Sequence, residues 1–174
     1  MSKPIGNRFY AVTIVTSVLV AAGYWYLQAP RWRTYESPDG KFRIDFPTTP
    51  STQEWPNNEV GTTHVVVAKP TLRVVYACDW SEVRNFNGLP PDEFIKRSQD
   101  FGIQGVQGVL LSGKKITVGG YPGREFQVQT RNNGAMDNRI ILVGNRIYSL
   151  SVINTEGKHE SDNIRRFFDS FQLE

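Results

Sequence analysis

Lys41-Phe42-Arg43-Ile44-Asp45-Phe46 alternates charged and apolar side chains, so an extended chain here has one aromatic and aliphatic face and one charged face. A half-buried strand has that period of two. Ser37-Pro38-Asp39-Gly40, just before it, supplies the residues of a tight turn. Thr34 to Asp45 therefore reads as a β-hairpin, ended by Pro47 and Pro50. Neighbouring strands joined by tight turns point to an antiparallel sheet.

The same signal recurs downstream. Thr62–Lys69 and Thr71–Trp80 read as valine-rich strands broken at Pro70. Val109–Val118, Arg124–Arg131, Asn138–Val143 and Arg146–Asn154 follow. Asn132-Asn133-Gly134 and Gly144-Asn145 lie between the last three, where positive φ is needed and these residue types accept it. Those three strands are expected to form an antiparallel meander. Two helices interrupt the pattern. Pro90-Pro91-Asp92-Glu93 is a helix start, because proline fits the first turn and carboxylates complement its free amides. The helix should run from Pro91 to Gln104 with Phe94, Ile95, Ser98 and Phe101 on its packing side. Glu160–Phe171 is the second, with Ile164, Phe167, Phe168 and Phe171 at the i, i+3, i+4, i+7 spacing of an amphipathic stripe. The expected fold class is α+β, an antiparallel β-sheet covered by helices.

Upstream the pattern changes character. Phe9–Pro30 holds 22 residues without a charge, and Phe9–Leu27 is almost wholly apolar. At ~1.5 Å per residue such a helix is close to the ~30 Å hydrocarbon core of a bilayer. Phe9 and Tyr10 at one end, and Tyr24 to Tyr26 with Trp32 at the other, resemble interfacial aromatic belts. Val20-Ala21-Ala22 would suit signal peptidase, but the apolar run continues past it. The expected organisation is a short cytoplasmic tail over residues 1–8, a transmembrane anchor over 9–28 and an extracytoplasmic domain over 34–174. Lys3, Arg8 and the terminal amine narrowly outnumber Arg31 and Arg33, which by the positive-inside rule favours the N-terminus in the cytoplasm.

Charge excludes one class of partner. The chain carries 20 Lys and Arg against 17 Asp and Glu, a net +3. Lys3, Arg8, Arg31 and Arg33 flank the apolar run, which leaves residues 34–174 at −1. A near-neutral domain lacks the basic footprint of a nucleic-acid binder. Cys78 is the sole cysteine, so no internal disulfide and no multi-cysteine zinc site can form, and its place between Tyr76 and Trp80 reads as a buried thiol. His64 and His159 stand without a third ligand at a diagnostic spacing and read as solvated. Gly119-Gly120-Tyr121-Pro122-Gly123 enters a strand rather than a helix and reads as a turn, not a phosphate loop. No catalytic residue, cofactor or metal is expected. The candidate partner-binding residues are Trp55 and Phe86, aromatics in loops, with Arg124 and Glu125 just past the glycine-rich turn.

Taken together, Tyr35-x-Ser37-Pro38-Asp39-Gly40-Lys41-Phe42-Arg43-Ile44-Asp45-Phe46-Pro47, Gly120-Tyr121-Pro122-Gly123-Arg124-Glu125-Phe126, Arg146-Ile147-Tyr148-Ser149-Leu150 and Arg166-Phe167-Phe168-Asp169-Ser170-Phe171 resemble the PsbP-like group. That group contains the extrinsic P protein of photosystem II, DcrB-type bacterial lipoproteins and other bacterial envelope proteins. The resemblance spans about residues 34–174. It implies a central antiparallel sheet between helices and a non-enzymatic binding or assembly role, here for a membrane-anchored member whose partner is another envelope protein. The photosynthetic role does not carry over, and neither does lipidation, since no cysteine follows the apolar segment. A small-ligand or lipid-binding domain held at the membrane is the alternative; it calls for an apolar cavity of several hundred Å³.

Overall fold

The computed structural model describes residues 31–57, 61–84, 86, 88–159 and 161–174. The expected anchor over 9–28 and tail over 1–8 lie outside them. Among the described residues no helix is long and apolar enough to cross a membrane.

Ten strands and two helices form a unit over Trp32–Glu174. The strands are β1 Arg33–Ser37, β2 Phe42–Phe46, β3 Ser51–Asn57, β4 Gly61–Ala68, β5 Val74–Glu82, β6 Val109–Val118, β7 Tyr121–Gln129, β8 Ala135–Val143, β9 Arg146–Asn154 and β10 Gln172–Leu173. The helices are α1 Pro91–Gly105 and α2 Ser161–Asp169. β1, β2 and β10 make a small antiparallel sheet, and the other seven pair in the order β3-β4-β5-β9-β8-β7-β6. The expected meander is present and extends to β6, while β5 closes onto β9 through pairs such as Cys78 with Leu150.

The turns explain the register. Gly119 and Gly120, both at positive φ, form a two-residue loop between Val118 and Tyr121. In the β1–β2 turn the left-handed residue is Lys41, not Gly40; Gly40 is needed because a Cβ there would sit 2.5 Å from the Phe42 ring.

Alternation gives the large sheet two faces. On the α2 face, Trp80, Cys78 and Tyr76 of β5 and Tyr148, Leu150 and Val152 of β9 meet Phe42, Ile44 and Phe46 of β2 and Ile164, Phe167, Phe168 and Phe171, all buried. The expected stripe at the C-terminus is thus the packing face. Rings of Phe46 and Tyr76 each stand 5.3 Å from Phe167, edge-on or tilted. Each such ring contributes roughly 1.5–3 kcal/mol by burial. On the α1 face, α1 lies over β7 and β8 and covers Phe126, Val128, Met136 and Ile140.

Two expectations are corrected. The Trp55 segment is strand β3 rather than a loop; Pro56 is tolerated there because the strand is at the sheet edge. On α1 the buried residues are Ile95 and Gln99, and Phe101 is 76% exposed. The helix is thus rotated from its expected setting, with Gln99 turned inward over Gly113 of β6.

Candidate functional site

Where β6, β7 and β8 extend past α2, their α2 face forms the floor of an open cleft of about 580 Å³. The two hairpin turns fix what lies there. Lys114 pairs with Glu125 and Glu125 with Arg139, so one row across three strands reads cation, anion, cation. Ser112, Gln127 and Asp137 make the next row on the same face.

The first row is bonded throughout. Arg139 donates from Nε and Nη2 to Glu125 Oε2, at 3.0 and 2.7 Å, and from Nη1 to the carbonyl of Phe168 at 2.9 Å. Its guanidinium also lies 4.9 Å from the Phe168 ring centroid. Lys114 Nζ reaches the other Glu125 oxygen at 2.9 Å. Part-burial pushes the Glu125 carboxyl up, but hydrogen bonds from Lys114 and Arg139 outweigh it and hold the group below its ordinary range. Arg139 thereby pins the end of α2 to the sheet.

In the second row, Ser112 donates to Gln127 Oε1 at 3.1 Å and Gln127 Nε2 to Asp137 Oδ1 at 2.7 Å. His159 Nδ1 lies 2.9 Å from Asp137 Oδ2. Asp137 is only 5% exposed, so it needs these partners. A carboxylate there accepts a proton held on Nδ1 and fixes the orientation of the ring. Ser112 spends its proton on Gln127 and Cys78 is fully buried, its thiol pushed up by that burial, so neither forms a nucleophile–base pair with His159. No group of three metal-capable side chains occurs among the described residues.

The solvated reading of the histidines gives way to paired ones. His64 stacks on Trp80 with centroids 4.0 Å apart and faces Glu54 at 3.2 Å, as His159 faces Asp137.

The four candidate residues do not converge. Glu125 faces the cleft, while Arg124, the next residue on the strand, points to the α1 face, where its Nε is buried without a partner among the described residues. Trp55 is also on the α1 face, at the β3 edge and 57% exposed. Phe86 is half-buried, its ring 5.0 Å from Phe94 beside α1. Lys114, Gln127, Asp137, Arg139 and His159 are the cleft residues that sequence reading missed. A signal existed: folding the chain about Gly119-Gly120 and about Asn132 sets Glu125 opposite Lys114 and Arg139.

The α1 face holds further polar groups. Asp79 of β5 lies between Val65 and Ser149 in the ladder. Burial raises its carboxyl to about 7, partly offset by a hydrogen bond with Ser149. Beyond it, Asn138 Nδ2 donates to Ser149 and Ser151 at 3.3 and 2.5 Å.

No protein-family model matches the chain, and no curated protein matches it by sequence. The solution structure of cyanobacterial PsbP (CyanoP) from Synechocystis sp. PCC 6803 is similar, with a TM-score of 0.61 at 9% identity over 83% of this chain and 94% of that one. A protein of unknown function from Pseudomonas aeruginosa aligns with a TM-score of only 0.39 at 10% identity, over 71% and 83% of the two chains. The likeness to CyanoP shows that Trp32–Glu174 has a PsbP-like fold, as the sequence motifs implied.

Proposed function

We propose that the chain is a non-enzymatic protein-interaction domain, held at a membrane by its N-terminal apolar segment and placed outside the cytoplasm to recognise or help assemble another envelope protein. The observation that carries this reading is how the polar groups of the cleft are used. Arg139, Glu125, Lys114, Gln127 and Asp137 bond to one another and to the α2 backbone, so their chemistry goes into holding the fold. Large apolar groups stay outside it: Trp55, Phe101 and Val109 to Leu111 are all exposed. Exposed aromatic and branched side chains are the usual source of binding energy between proteins. The PsbP-like fold and the charge-free stretch Phe9–Pro30 support the same reading.

A lipid-binding alternative has less support, because the cleft is lined mainly by charged and polar side chains. Crosslinking mass spectrometry on intact membranes carrying the full chain tests the proposal. A stoichiometric envelope partner joined to the C-terminal domain is expected; repeated recovery of the chain alone would remove the interaction reading. Protease added to spheroplasts should digest the domain, and a domain left intact would overturn the extracytoplasmic placement.

A further inference from the structure

The two ends of the large sheet are different edges. β3 is short, contains Pro56 and carries Glu54. β6 is ten residues, about 33 Å of strand, with no proline. It stands last in the sheet, so its outer main-chain N–H and C=O groups face away from β7. Val109, Leu110 and Leu111 are 66%, 44% and 53% exposed. Its only charged residues, Lys114 and Lys115, point to opposite faces and follow the apolar trio.

We propose that the outer edge of β6 receives an extended strand of a partner protein, antiparallel, with an acidic N-terminal half against Lys114 and Lys115 and an apolar C-terminal half against Val109 to Leu111. The proposal rests on the interaction reading above and names its surface. Charge selects the occupant. The row Arg139, Glu125, Lys114 alternates in sign, and an acidic residue on an added strand continues it. Lys114 and Lys115 are bonded to Glu125 and Asp92, but an ammonium has three donors and both side chains are about two-thirds exposed. A second copy of β6 would fit its apolar ends but bring four lysines together at the centre. Lysine on an edge strand, with the register shift between Leu110 and Ser112, is a device against indiscriminate pairing. Here it excludes like edges and leaves an acidic one admissible, which is the addition mode in which main-chain bonds give affinity and side chains specificity.

The test uses the full chain in detergent and a synthetic ten-residue peptide, glutamate-rich in its first half and valine-rich in its second, beside a control with lysine for each glutamate. Binding of the acidic peptide only is expected, weakened about tenfold by Lys114→Gln with Lys115→Gln and by added salt, with slowed amide exchange confined to β6. The Gln variants remove charge without adding repulsion, and amide exchange unchanged outside β6 shows that the fold is intact. Equal binding of the lysine control, binding without protection of β6, or no binding up to millimolar peptide would each overturn the proposal; so would self-association through β6. If membrane crosslinking then finds a stoichiometric partner at Trp55 or Phe101 and none at β6, the interaction reading stands and this edge assignment fails.

Discussion

The two faces of the seven-stranded sheet are built from different materials. The α2 face is sealed by rings from β2, β5, β9 and α2, and Phe42, Phe46, Phe167 and Tyr148 are almost fully excluded from water. The α1 face is covered by one helix over β7 and β8, and it keeps Asp79, Ser149, Asn138 and Gln99 among its apolar residues. The contrast separates what holds the domain together from what it can spare. Stability concentrates on the first face; the raised carboxyl of Asp79 and the exposed ring of Trp55 belong to the second.

The sharpest way to break that contrast is to empty one position on each face. Phe167→Ala should cost about 3–5 kcal/mol, because a fully buried ring against Phe46, Tyr76 and Phe168 leaves a cavity that rigid neighbours cannot fill. Ile95→Ala under α1 should cost about 2–3 kcal/mol, nearer the lower end of its class, since a single helix over part of a sheet can settle into the gap. Urea unfolding of both variants checks the order. Equal losses would mean that the faces share the stability evenly.

Asp79 offers a second contrast, in pH. Its folded pKa of about 7 stands above the ordinary value of 3.8, so the protonated form favours the folded state. The contribution is complete below pH 4 and is lost as pH rises to about 7. Asp79→Asn is neutral throughout. The variant should match the parent at pH 4 and exceed it by about 1–2 kcal/mol at pH 8.5, a value discounted because the side chain is only partly buried. A variant weaker than the parent at both pH values would show that the bond to Ser149 matters more than the charge.

Arg139→Met tests whether the cleft row is structural. Losing the bonds to Glu125 and to the Phe168 carbonyl should cost about 1.5–3 kcal/mol near pH 7. Glu125 has a lowered pKa, so its share of stability is present above the ordinary carboxylate value and is lost as pH falls through the folded one. The difference between parent and variant should therefore shrink in acid. A constant gap down to pH 3 would place the effect in the lost contact with Phe168 instead.

The α2 face was the legible one. Phe42, Ile44 and Phe46 show their period, and so do Ile164, Phe167, Phe168 and Phe171, because a face that buries rings leaves an unbroken apolar repeat. The α1 face hid its plan. Gln99, not Phe101, takes the inner side of the helix, and a polar residue at that position breaks the apolar stripe by which a packing face is read. β3 was missed because proline and tryptophan near asparagines imitate a loop, and only pairing with β4 shows the strand. The cleft escaped for a related reason: its charges come from three strands and become neighbours only when both hairpins close. Composition carries no trace of that, although the turn positions do.

The smallest effect should be at Trp55, and it separates surface from core on the α1 face. The residue is 57% exposed on an edge strand, opposite Thr63, so the fold gains little from its ring. Trp55→Ser should shift unfolding by about 0.5 kcal/mol or less, within the range of surface substitutions. A loss above about 1.5 kcal/mol would mean that the indole packs on the sheet in solution and belongs with the core. If stability is unchanged while crosslinking yield to a membrane partner falls, the ring is apolar surface kept for another molecule. In that case the α1 face at the β3 edge, the end of the sheet opposite β6, is where the domain meets it.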